Sequence, residues 1–503
     1  MATSERLDAV LIHPSSRSQV YQGLGKGLVA IEPPVWAGLM TAYLRHHGYG
    51  AELLDAEAEE LGPAQVAERV RAANPRLAVL VVYGHQPSAS TQTMPAAGAV
   101  GRAIKELEPD RPTIMVGGHV AALPDRTLDE EACDFVAGGE GLVTLRELVE
   151  LLRSDRPAEY ERVRGLWYRD ERGLPRPTPA APLVRDLDRE MTSLPWDDLP
   201  MKRYRAHNWH CFGDLERQPY ASLYTSLGCP YHCSFCCIQA PFKSGELLLG
   251  LREGVNSYRR WSAASTVAQL DHLVERYGVR NVKFADEMFV LNPRHIAELC
   301  DLIAARRYGL NIWAYARVDT VKEGMLEKLV AAGVRWLAFG LESGSERVLA
   351  QVDKRFETEQ MYETLRRVRG AGINVVGNYI FGLPEDDHAS MQEPLDLAVD
   401  LNCEWANFYS AMAYPGSKLY QEAIEQGWRL PASWSGYSQH AVDTLPLPTR
   451  YVSAAEVLRF RDSAFDAYFG GARYQDMVER KFGSRTRAHV ADMLRHRLVR
   501  HNA

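Results

Sequence analysis

Three cysteines lie close together in the segment Cys229-Pro-Tyr-His-Cys233-Ser-Phe-Cys236, which directly follows the apolar stretch LYTSL. Thiolates are the usual protein ligands of iron–sulfur clusters and common ligands of zinc. Three thiolates on one loop can bind three irons of a four-iron cluster and leave the fourth iron open to another ligand. The spacing therefore predicts a metal centre with one open coordination position, held by Cys229, Cys233 and Cys236.

A structural zinc site is the main alternative for this loop. Zinc takes four ligands, and His232 or Cys237 could supply the fourth. Such sites usually combine two separated pairs of ligands, but the sequence contains no second CxxC and no HxxxH. The other four cysteines are scattered along the chain, at Cys133, Cys211, Cys300 and Cys403. The clustering of the first set favours an iron–sulfur centre over zinc and over disulfides.

The first 150 or so residues, which precede this loop, have the pattern of a doubly wound α/β domain. Short apolar runs typical of strands alternate with segments whose apolar residues recur at helical spacing. The runs are 7–15, 51–57, 77–84, 113–119 and 133–140. The alternation predicts a Rossmann-like parallel sheet with helices on both faces, and such sheets bind ligands beyond the carboxyl ends of their strands.

Strand-like and helical segments alternate again between residues 221 and 416 and predict a partial (β/α)6 barrel, shorter than the eight units of a TIM barrel. The stretch GLWYRDERGLPRP predicts a hairpin, and the proline-rich stretch after it predicts an extended connector. We therefore divide the chain into a Rossmann-like domain, a hairpin and linker, a barrel and a helical capping region, at 1–160, 161–215, 216–420 and 421–503.

The end of the chain is basic. Residues 480–503 contain seven Lys or Arg and one Asp. This pattern is typical of a solvated helix face, and a basic patch for an anionic substrate is the alternative interpretation.

The cysteine loop resembles that of the radical S-adenosylmethionine (radical SAM) superfamily, which has the spacing CxxxCxxC with an aromatic residue, here Phe235, before the third cysteine. The resemblance implies a 4Fe–4S cluster whose open iron binds the amino and carboxylate groups of S-adenosylmethionine. An electron from the cluster then breaks a C–S bond and yields a 5'-deoxyadenosyl radical.

The resemblance also implies S-adenosylmethionine contacts at the ends of later strands. Asp286 and Glu287 would meet the methionine ammonium, and Arg317 its carboxylate. The remaining implied contacts are Glu342 and Ser343 at the ribose and Ile380 and Gly382 at the adenine. The family pattern around the last pair begins with Gly, and this chain has Asn378 at that position.

A doubly wound domain ahead of such a barrel resembles the cobalamin-binding, methyltransferase-like (class B) subgroup. The implied cobalamin contacts lie at strand ends: Pro14, Ser15, Tyr83, Gly84, His85, Gly117, Gly118, His119, Gly139, Glu140 and Gly141. The Asp-x-His-x-x-Gly motif that supplies a histidine ligand to cobalt in other cobalamin domains does not occur. His85 is the candidate for a direct ligand.

The resemblance implies a cobalamin-dependent methyltransferase acting on an unactivated carbon, or on phosphorus, of a small biosynthetic intermediate. A radical cyclase or rearrangement enzyme without net methylation is the alternative, and a non-catalytic cobalamin or redox sensor is a more remote one. A flavodoxin or ferredoxin type of electron donor is the expected partner. The net charge of -7 and the lack of a long apolar run predict no nucleic-acid partner, no membrane partner and a cytoplasmic location.

Overall fold

The computed structural model describes residues 6–84, 86–154, 159–213, 215–354 and 357–503. Its N-terminal sheet has the order β2-β1-β3-β4-β5-β6-β7. These strands are β1 Ala9–His13, β2 Ala51–Asp55, β3 Leu77–Val81, β4 Thr113–Val116, β5 Phe135–Ala137, β6 Leu166–Arg169 and β7 Pro175–Pro177. The first five are parallel, and the β6–β7 hairpin extends the sheet with two antiparallel strands. The hairpin that was predicted as part of the connector is therefore part of the N-terminal sheet.

Helices cover both faces of the N-terminal sheet, because successive strand residues point to opposite sides. Val10 and Ile12 belong to a core with α4 and α5, whereas Ala9 and Leu11 belong to a core with α2 and α8. The helices of this region are α1 Arg17–Tyr21, α2 Val35–His46, α3 Ala56–Glu59, α4 Pro63–Ala73, α5 Ala89–Leu107, α6 Gly118–Ala122, α7 Pro124–Glu130, α8 Leu142–Arg153 and, in the connector, α9 Leu187–Glu190. The predicted doubly wound domain is thus confirmed.

A second, fully parallel sheet of six strands has the order β15-β14-β13-β12-β11-β8. Its strands are β8 Tyr220–Leu223, β11 Asn281–Phe284, β12 Asn311–Ala316, β13 Val334–Glu342, β14 Asn374–Phe381 and β15 Trp405–Ser410, and a separate antiparallel pair is β9 Ser226–Leu227 with β10 Arg259–Arg260. The helices between them are α10 Lys243–Glu246, α11 Ala263–Tyr277, α12 Pro293–Arg306, α13 Glu323–Ala332, α14 Glu346–Gln351, α15 Thr358–Gly370 and α16 His388–Leu401. The prediction of a partial barrel with six β/α units is confirmed.

The helical C-terminal region packs on β14 and β15. It consists of α17 Lys418–Glu425, α18 Ala454–Gly470, α19 Ala472–Phe482 and α20 Ser484–Met493. The hydroxyl of Tyr474 donates to the carbonyl of Glu404 at 3.1 Å, which ties this region to the start of β15. Short 3-10 helices complete the chain at Gln22–Lys26, Tyr160–Arg162, Trp196–Asp198, Met201–Arg203, Trp209–Cys211, Leu247–Leu249, Phe289–Leu291 and Trp434–Tyr437. Of the helices just given, none is long and apolar enough to cross a membrane.

The basic residues near the C-terminus are largely paired with carboxylates. Their partners are Glu404 for Lys481, Glu479 for Arg487, Asp492 for Arg495, Asp466 for Arg497 and Asp462 for Arg500. This pairing fits the interpretation of a solvated helical surface and leaves little positive charge for an anionic substrate.

Candidate active site

The cysteine loop begins where the first barrel strands end, and internal hydrogen bonds fix its backbone. Gly228 has φ of +87° ahead of Cys229, a conformation that suits glycine. The amide of Cys229 donates to the side-chain oxygen of Gln239 at 3.0 Å, and the amide of Cys236 donates to the carbonyl of Cys233 at 3.0 Å. The loop is therefore shaped by its own chain, independently of any bound group.

The thiols of this loop are the donors that iron–sulfur clusters take from proteins. Cys229 is buried and Cys233 and Cys236 are half-buried, and none of the eight cysteines is in a disulfide. Among the described residues, no three His, Cys, Asp or Glu side chains converge closely enough to bind one metal ion. In an iron–sulfur cluster each thiolate binds a different iron, whereas zinc ligands all meet at one ion. The donor set therefore suits the predicted cluster.

Burial keeps these thiols protonated when no metal is bound. It raises the pKa of Cys229 to about 12 and raises the pKa of Cys236 well above its usual value. Thiolates form in such surroundings when positive iron compensates their charge, so metal binding must release protons.

Arg317 lies beside the cluster loop, directly after β12. Its Nη1 is 3.8 Å from the Sγ of Cys233, and its guanidinium stacks on the ring of Tyr231 at 3.9 Å. Its Nε also pairs with Asp319 at 3.0 Å. Arg317, the predicted carboxylate contact, thus lies beside the cysteine loop, and Asp319 holds it there.

The two acidic residues after β11 differ in their surroundings. Asp286 is fully buried and accepts hydrogen bonds from the amide and hydroxyl of Thr225 and from the hydroxyl of Ser226. These contacts anchor the strand that leads into the cysteine loop. Glu287 instead lines a small cavity with Cys237, and burial, aided by the Asp286 carboxylate, raises its pKa to about 8.

Glu342 and Ser343 end β13 in a strained turn. Glu342 has φ of +62°, a conformation uncommon for a residue with a side chain, and its carboxylate accepts from Lys354 at 2.7 Å. Ser343 is fully buried, and its hydroxyl accepts from the amide of Ser345 at 3.1 Å. Strain of this kind is common at functional sites.

The predicted adenine contacts lie at the end of β14. Ile380 and Phe235, the residue before the third cysteine, are both half-buried and pack against the same small apolar cluster. Gly382 has φ of +79°, and its amide donates to Asp386 at 3.0 Å. Asn378, where the family pattern has Gly, accepts from the side chain of Asn407 within the sheet at 2.9 Å.

On the N-terminal domain, the predicted residues after β3 and β5 face the barrel. Tyr83 stacks on Trp36 with ring centroids 4.1 Å apart, and its hydroxyl donates to the carbonyl of Glu140 at 3.2 Å. The Glu140 side chain forms a buried ion pair of 2.6 Å with Arg259 of the barrel. Gly84 lines a cavity that lies between the two domains. His85 lies outside the described residues.

Most of the predicted glycines serve packing within the chain. A Cβ on Gly117 would lie 2.1 Å from the carbonyl oxygen of Val82, and one on Gly141, where φ is +96°, would lie 2.3 Å from Val116. Gly118 is different, because a Cβ there would meet its first neighbour, Ser90, at an ordinary 3.6 Å.

The remaining predicted cobalamin contacts have mixed surroundings. Gly139 packs against Ser244, which follows the cysteine loop: a Cβ on Gly139 would lie 2.8 Å from the Ser244 hydroxyl. His119 is buried, with Nδ1 3.2 Å from the hydroxyl of Thr91 and its ring against Trp434. Pro14 is buried and Ser15 half-buried just after β1.

A cavity of about 360 Å³ extends from the strand ends of the N-terminal sheet into the barrel. His13, Gly84 and Gln86 line it on the N-terminal side, and Tyr315 and Asn407 line it on the barrel side. Its position beyond the carboxyl ends of parallel strands is where doubly wound sheets bind ligands, and this suits a cobalamin lying between the domains.

A buried ion pair that was not predicted from the sequence lines this cavity. Glu32, from the loop before α2, reaches Lys283 on β11 at 3.1 Å. A lysine within the apolar run VKF was the available signal, because a charge in the middle of a buried strand needs a partner.

Comparisons with known proteins agree with this arrangement. The Radical SAM superfamily model matches residues 223–398, and the B12 binding domain model matches residues 24–149. The chain is 27% identical to an uncharacterized methyltransferase of Pyrococcus horikoshii over 432 residues, which is 85% of this chain and 86% of that protein.

Two further relatives differ in their named activities. The anaerobic magnesium-protoporphyrin IX monomethyl ester cyclase of Rubrivivax gelatinosus is 25% identical over 82% of this chain and 69% of its own length. The cytidylyl-2-hydroxyethylphosphonate methyltransferase of Streptomyces wedmorensis is 24% identical over 78% of both.

Among solved structures, the radical S-adenosylmethionine methyltransferase TsrM of Kitasatospora setae, with cobalamin and a 4Fe–4S cluster bound, superposes with a TM-score of 0.67. It is 19% identical, and the match covers 93% of this chain and 90% of that one. This likeness extends over both domains of the fold.

Proposed function

The chain belongs to the cobalamin-binding radical SAM enzymes, and on that premise we propose that it transfers a methyl group to an unactivated carbon, or to phosphorus, of a small biosynthetic intermediate. The observation that carries the proposal is a direct contact between the segment that follows the cysteine loop and the strand ends of the N-terminal domain. Ser244, a few residues after the third cysteine, donates its hydroxyl to the carbonyl of Gly138 at 3.1 Å.

Residues predicted to contact each of the two cofactors line one small cavity. Gly84 and Gly118 of the N-terminal domain line the same small cavity as Cys237 and Glu287 of the barrel. An enclosed site limits access of water and oxygen, which protects a carbon radical from side reactions. Two reactive centres on one cavity suit a reaction that first removes a hydrogen and then delivers a methyl group.

When bound, the cluster supplies the electron that cleaves S-adenosylmethionine, and cobalamin supplies the methyl group. We assign binding of the methionine part of S-adenosylmethionine to two residues. Arg317 lies beside the cysteine loop, and Glu287 lines the small cavity. Glu342, turned by its left-handed backbone, would meet the ribose. Asp286 has a positioning role, because its hydrogen bonds fix Thr225 and Ser226 just before the cysteine loop.

A cobalamin-dependent radical cyclase is the second candidate function, and the relative in Rubrivivax gelatinosus is named as an anaerobic cyclase. The two functions differ in the fate of the methyl group. If S-adenosylmethionine labelled in its methyl group leaves label in the product, the methyltransferase proposal is supported; a ring-closed, unlabelled product supports the cyclase.

Anaerobic reconstitution tests whether the protein binds the cofactors that the proposal requires. The wild-type protein should bind iron, sulfide and cobalamin and release 5'-deoxyadenosine from S-adenosylmethionine under reducing conditions. Single replacement of Cys229, Cys233 or Cys236 by Ala should abolish cluster binding. The matched control is Cys237→Ala, which removes a neighbouring buried thiol and should keep the cluster. Zinc in place of iron, or equal iron loss in the control, would contradict the proposal.

We also propose a flavodoxin or ferredoxin type of electron donor and a cytoplasmic location. The cluster needs a strong one-electron reductant, and eight unpaired cysteines suit a reducing compartment. Reduction of the reconstituted cluster by a purified flavodoxin, in place of dithionite, checks the first of these.

A further inference from the structure

The charges that line the large cavity are balanced. Its described lining has the cations Arg17, Lys283, Arg461 and Arg497 and the anions Glu32, Glu57, Asp462 and Asp466. Each cation pairs with one of these anions: Lys283 with Glu32 at 3.1 Å, Arg17 with Glu57 at 3.2 Å, Arg461 with Asp462 at 2.7 Å, and Arg497 with Asp466. One more guanidinium, that of Arg500, pairs with Asp462 from outside the lining.

The inner end of the cavity, within the barrel, holds the most buried of these pairs. Lys283 and Glu32 are 2% and 5% exposed, so water screens their charges little. The Lys283 ammonium also lies 5.0 Å above the ring of Trp313. His207 Nε2 is 3.6 Å from Glu32, and burial lowers the pKa of His207, which favours a neutral imidazole. This end therefore has no net charge.

Three further polar groups stand close to this pair, and hydrogen bonds link the Tyr220 hydroxyl with Glu32 and with the other two groups. They are the Tyr220 hydroxyl, the Ser222 hydroxyl and the Trp313 Nε1, all almost fully buried. Ser222 and Trp313 stand directly beside Lys283 on the neighbouring strands β8 and β12. Of these three residues, Trp313 lines the large cavity together with Glu32 and Lys283, so a ligand there would meet the edge of a polar network.

The walls between this inner end and the cofactor side are rich in aromatic rings. Trp209 and Trp313 meet edge to face with ring centroids 5.2 Å apart, and Trp313 meets Tyr315 in the same way at 5.1 Å. Trp405 and Tyr409 line the cavity from β15. Aromatic surfaces of this kind bind flat rings by stacking and edge contacts.

We propose that the inner end of the cavity binds the substrate of the carbon-methylating form of the proposed reaction, that it selects a net-neutral molecule with a ring and a hydrogen-bonding polar group, and that it rejects phosphorylated compounds. The polar group would meet the Glu32–Lys283 pair and Trp313 beside it, and the ring would lie on the aromatic walls. A phosphate dianion would lose its hydration at this end, where Lys283 is already paired with Glu32. This inference rests on the proposed function, since it assigns the substrate of that reaction.

Naphthol and naphthyl phosphate make a matched pair of probes, because they share a ring system and differ in charge. Binding to the reconstituted protein is measured by saturation-transfer NMR and calorimetry. We expect naphthol to bind at least about tenfold more tightly than naphthyl phosphate, the ratio expected from one uncompensated charged contact. Equal or tighter binding of the phosphate, or binding of neither probe, would overturn the proposal.

Two substitutions test whether the Glu32–Lys283 pair determines which probe binds more tightly. Glu32→Gln leaves Lys283 without its counter-charge and should reverse the preference in favour of naphthyl phosphate. Lys283→Met leaves Glu32 unbalanced and should favour naphthylmethylamine instead. Glu68→Gln removes the same charge from the exposed pair with Arg71 and should change neither preference. If the Glu32 and Lys283 variants both keep the wild-type preference, the pair does not select the ligand.

The same preparations separate this inference from the proposed function. Iron content, cobalt content and release of 5'-deoxyadenosine are measured without any probe. A loaded protein that cleaves S-adenosylmethionine but binds naphthyl phosphate as well as naphthol contradicts the inference alone. A protein that selects naphthol but carries no cluster contradicts the proposed function alone.

Discussion

Arg259 and Glu140 form an ion pair of 2.6 Å that joins the barrel to the N-terminal domain, with both side chains less than a tenth exposed. Arg259 lies on β10, which pairs with the strand just before the cysteine loop, and it also donates to the carbonyl of Val184 at 2.6 Å. Glu140 follows the last parallel strand of the N-terminal sheet. One buried contact therefore fixes the cluster loop relative to the strand ends.

Removing one partner of this pair should destabilise the protein strongly. Arg259→Met or Glu140→Gln leaves a buried charge without compensation, which costs about 3–5 kcal/mol. Urea unfolding followed by circular dichroism measures the loss. Arg71→Met, which breaks an exposed pair with Glu68, is the control and should cost less than about 1 kcal/mol. A similar loss in both variants would mean that the buried pair does not hold the domains together.

Two adjacent glycines should respond differently to alanine. Gly118→Ala fits the fold, since its first neighbour is 3.6 Å away, and should leave the free energy of unfolding unchanged or slightly raised. If cobalamin lies against Gly118, the added methyl group should weaken cobalamin binding about tenfold, measured by titration of visible absorption. Gly117→Ala instead clashes with Val82 and should cost about 1–3 kcal/mol. Unchanged cobalamin affinity in Gly118→Ala would remove Gly118 from the contact set.

Asp286→Asn should loosen the cluster loop. The amide accepts fewer of the bonds from Thr225 and Ser226 and keeps the volume, so we expect a loss of about 2–3 kcal/mol. Iron should also leave the reconstituted variant faster when a chelator is added. Asp271→Asn, at a partly exposed pair with Arg306, provides the comparison and should leave iron release at the wild-type rate.

Acid should destabilise the protein in part through His119. Burial and the nearby Arg126 lower its pKa from 6.5 to about 3, so the folded protein keeps the ring neutral while the unfolded chain takes up a proton. The stability that this residue contributes is therefore present above pH 6.5 and is lost as the pH falls toward 3. His119→Asn should flatten the curve of unfolding free energy against pH over that range, and His46→Asn, at an exposed position, should leave its slope unchanged.

The local patterns of the sequence were sufficient for the architecture. The apolar run around Ala9–His13 and the helical spacing of Val35–His46 are properties of neighbouring residues, so a strand and a helix follow from them directly. The predicted iron–sulfur site follows from local sequence in the same way, because Cys229, Cys233 and Cys236 all stand on one loop.

Individual contacts around the cofactor regions did not follow from such patterns. Gly117 was predicted to let a corrin approach, yet the space beside it is filled by Val82. Asp286 was predicted to meet an ammonium group, and its observed bonds go to Thr225 and Ser226. A short motif specifies the type of residue at a strand end, but the packing around it decides what that residue touches.

The sequence by itself determined the two sheets, their order along the chain and the three thiol ligands, since each depends on residues close together in the chain. Only the tertiary structure decided that Glu32 meets Lys283 and that Glu140 meets Arg259, pairs separated by 251 and 119 positions. Opposite charges are abundant in the sequence, and which of them become buried partners depends on how the two domains close on each other.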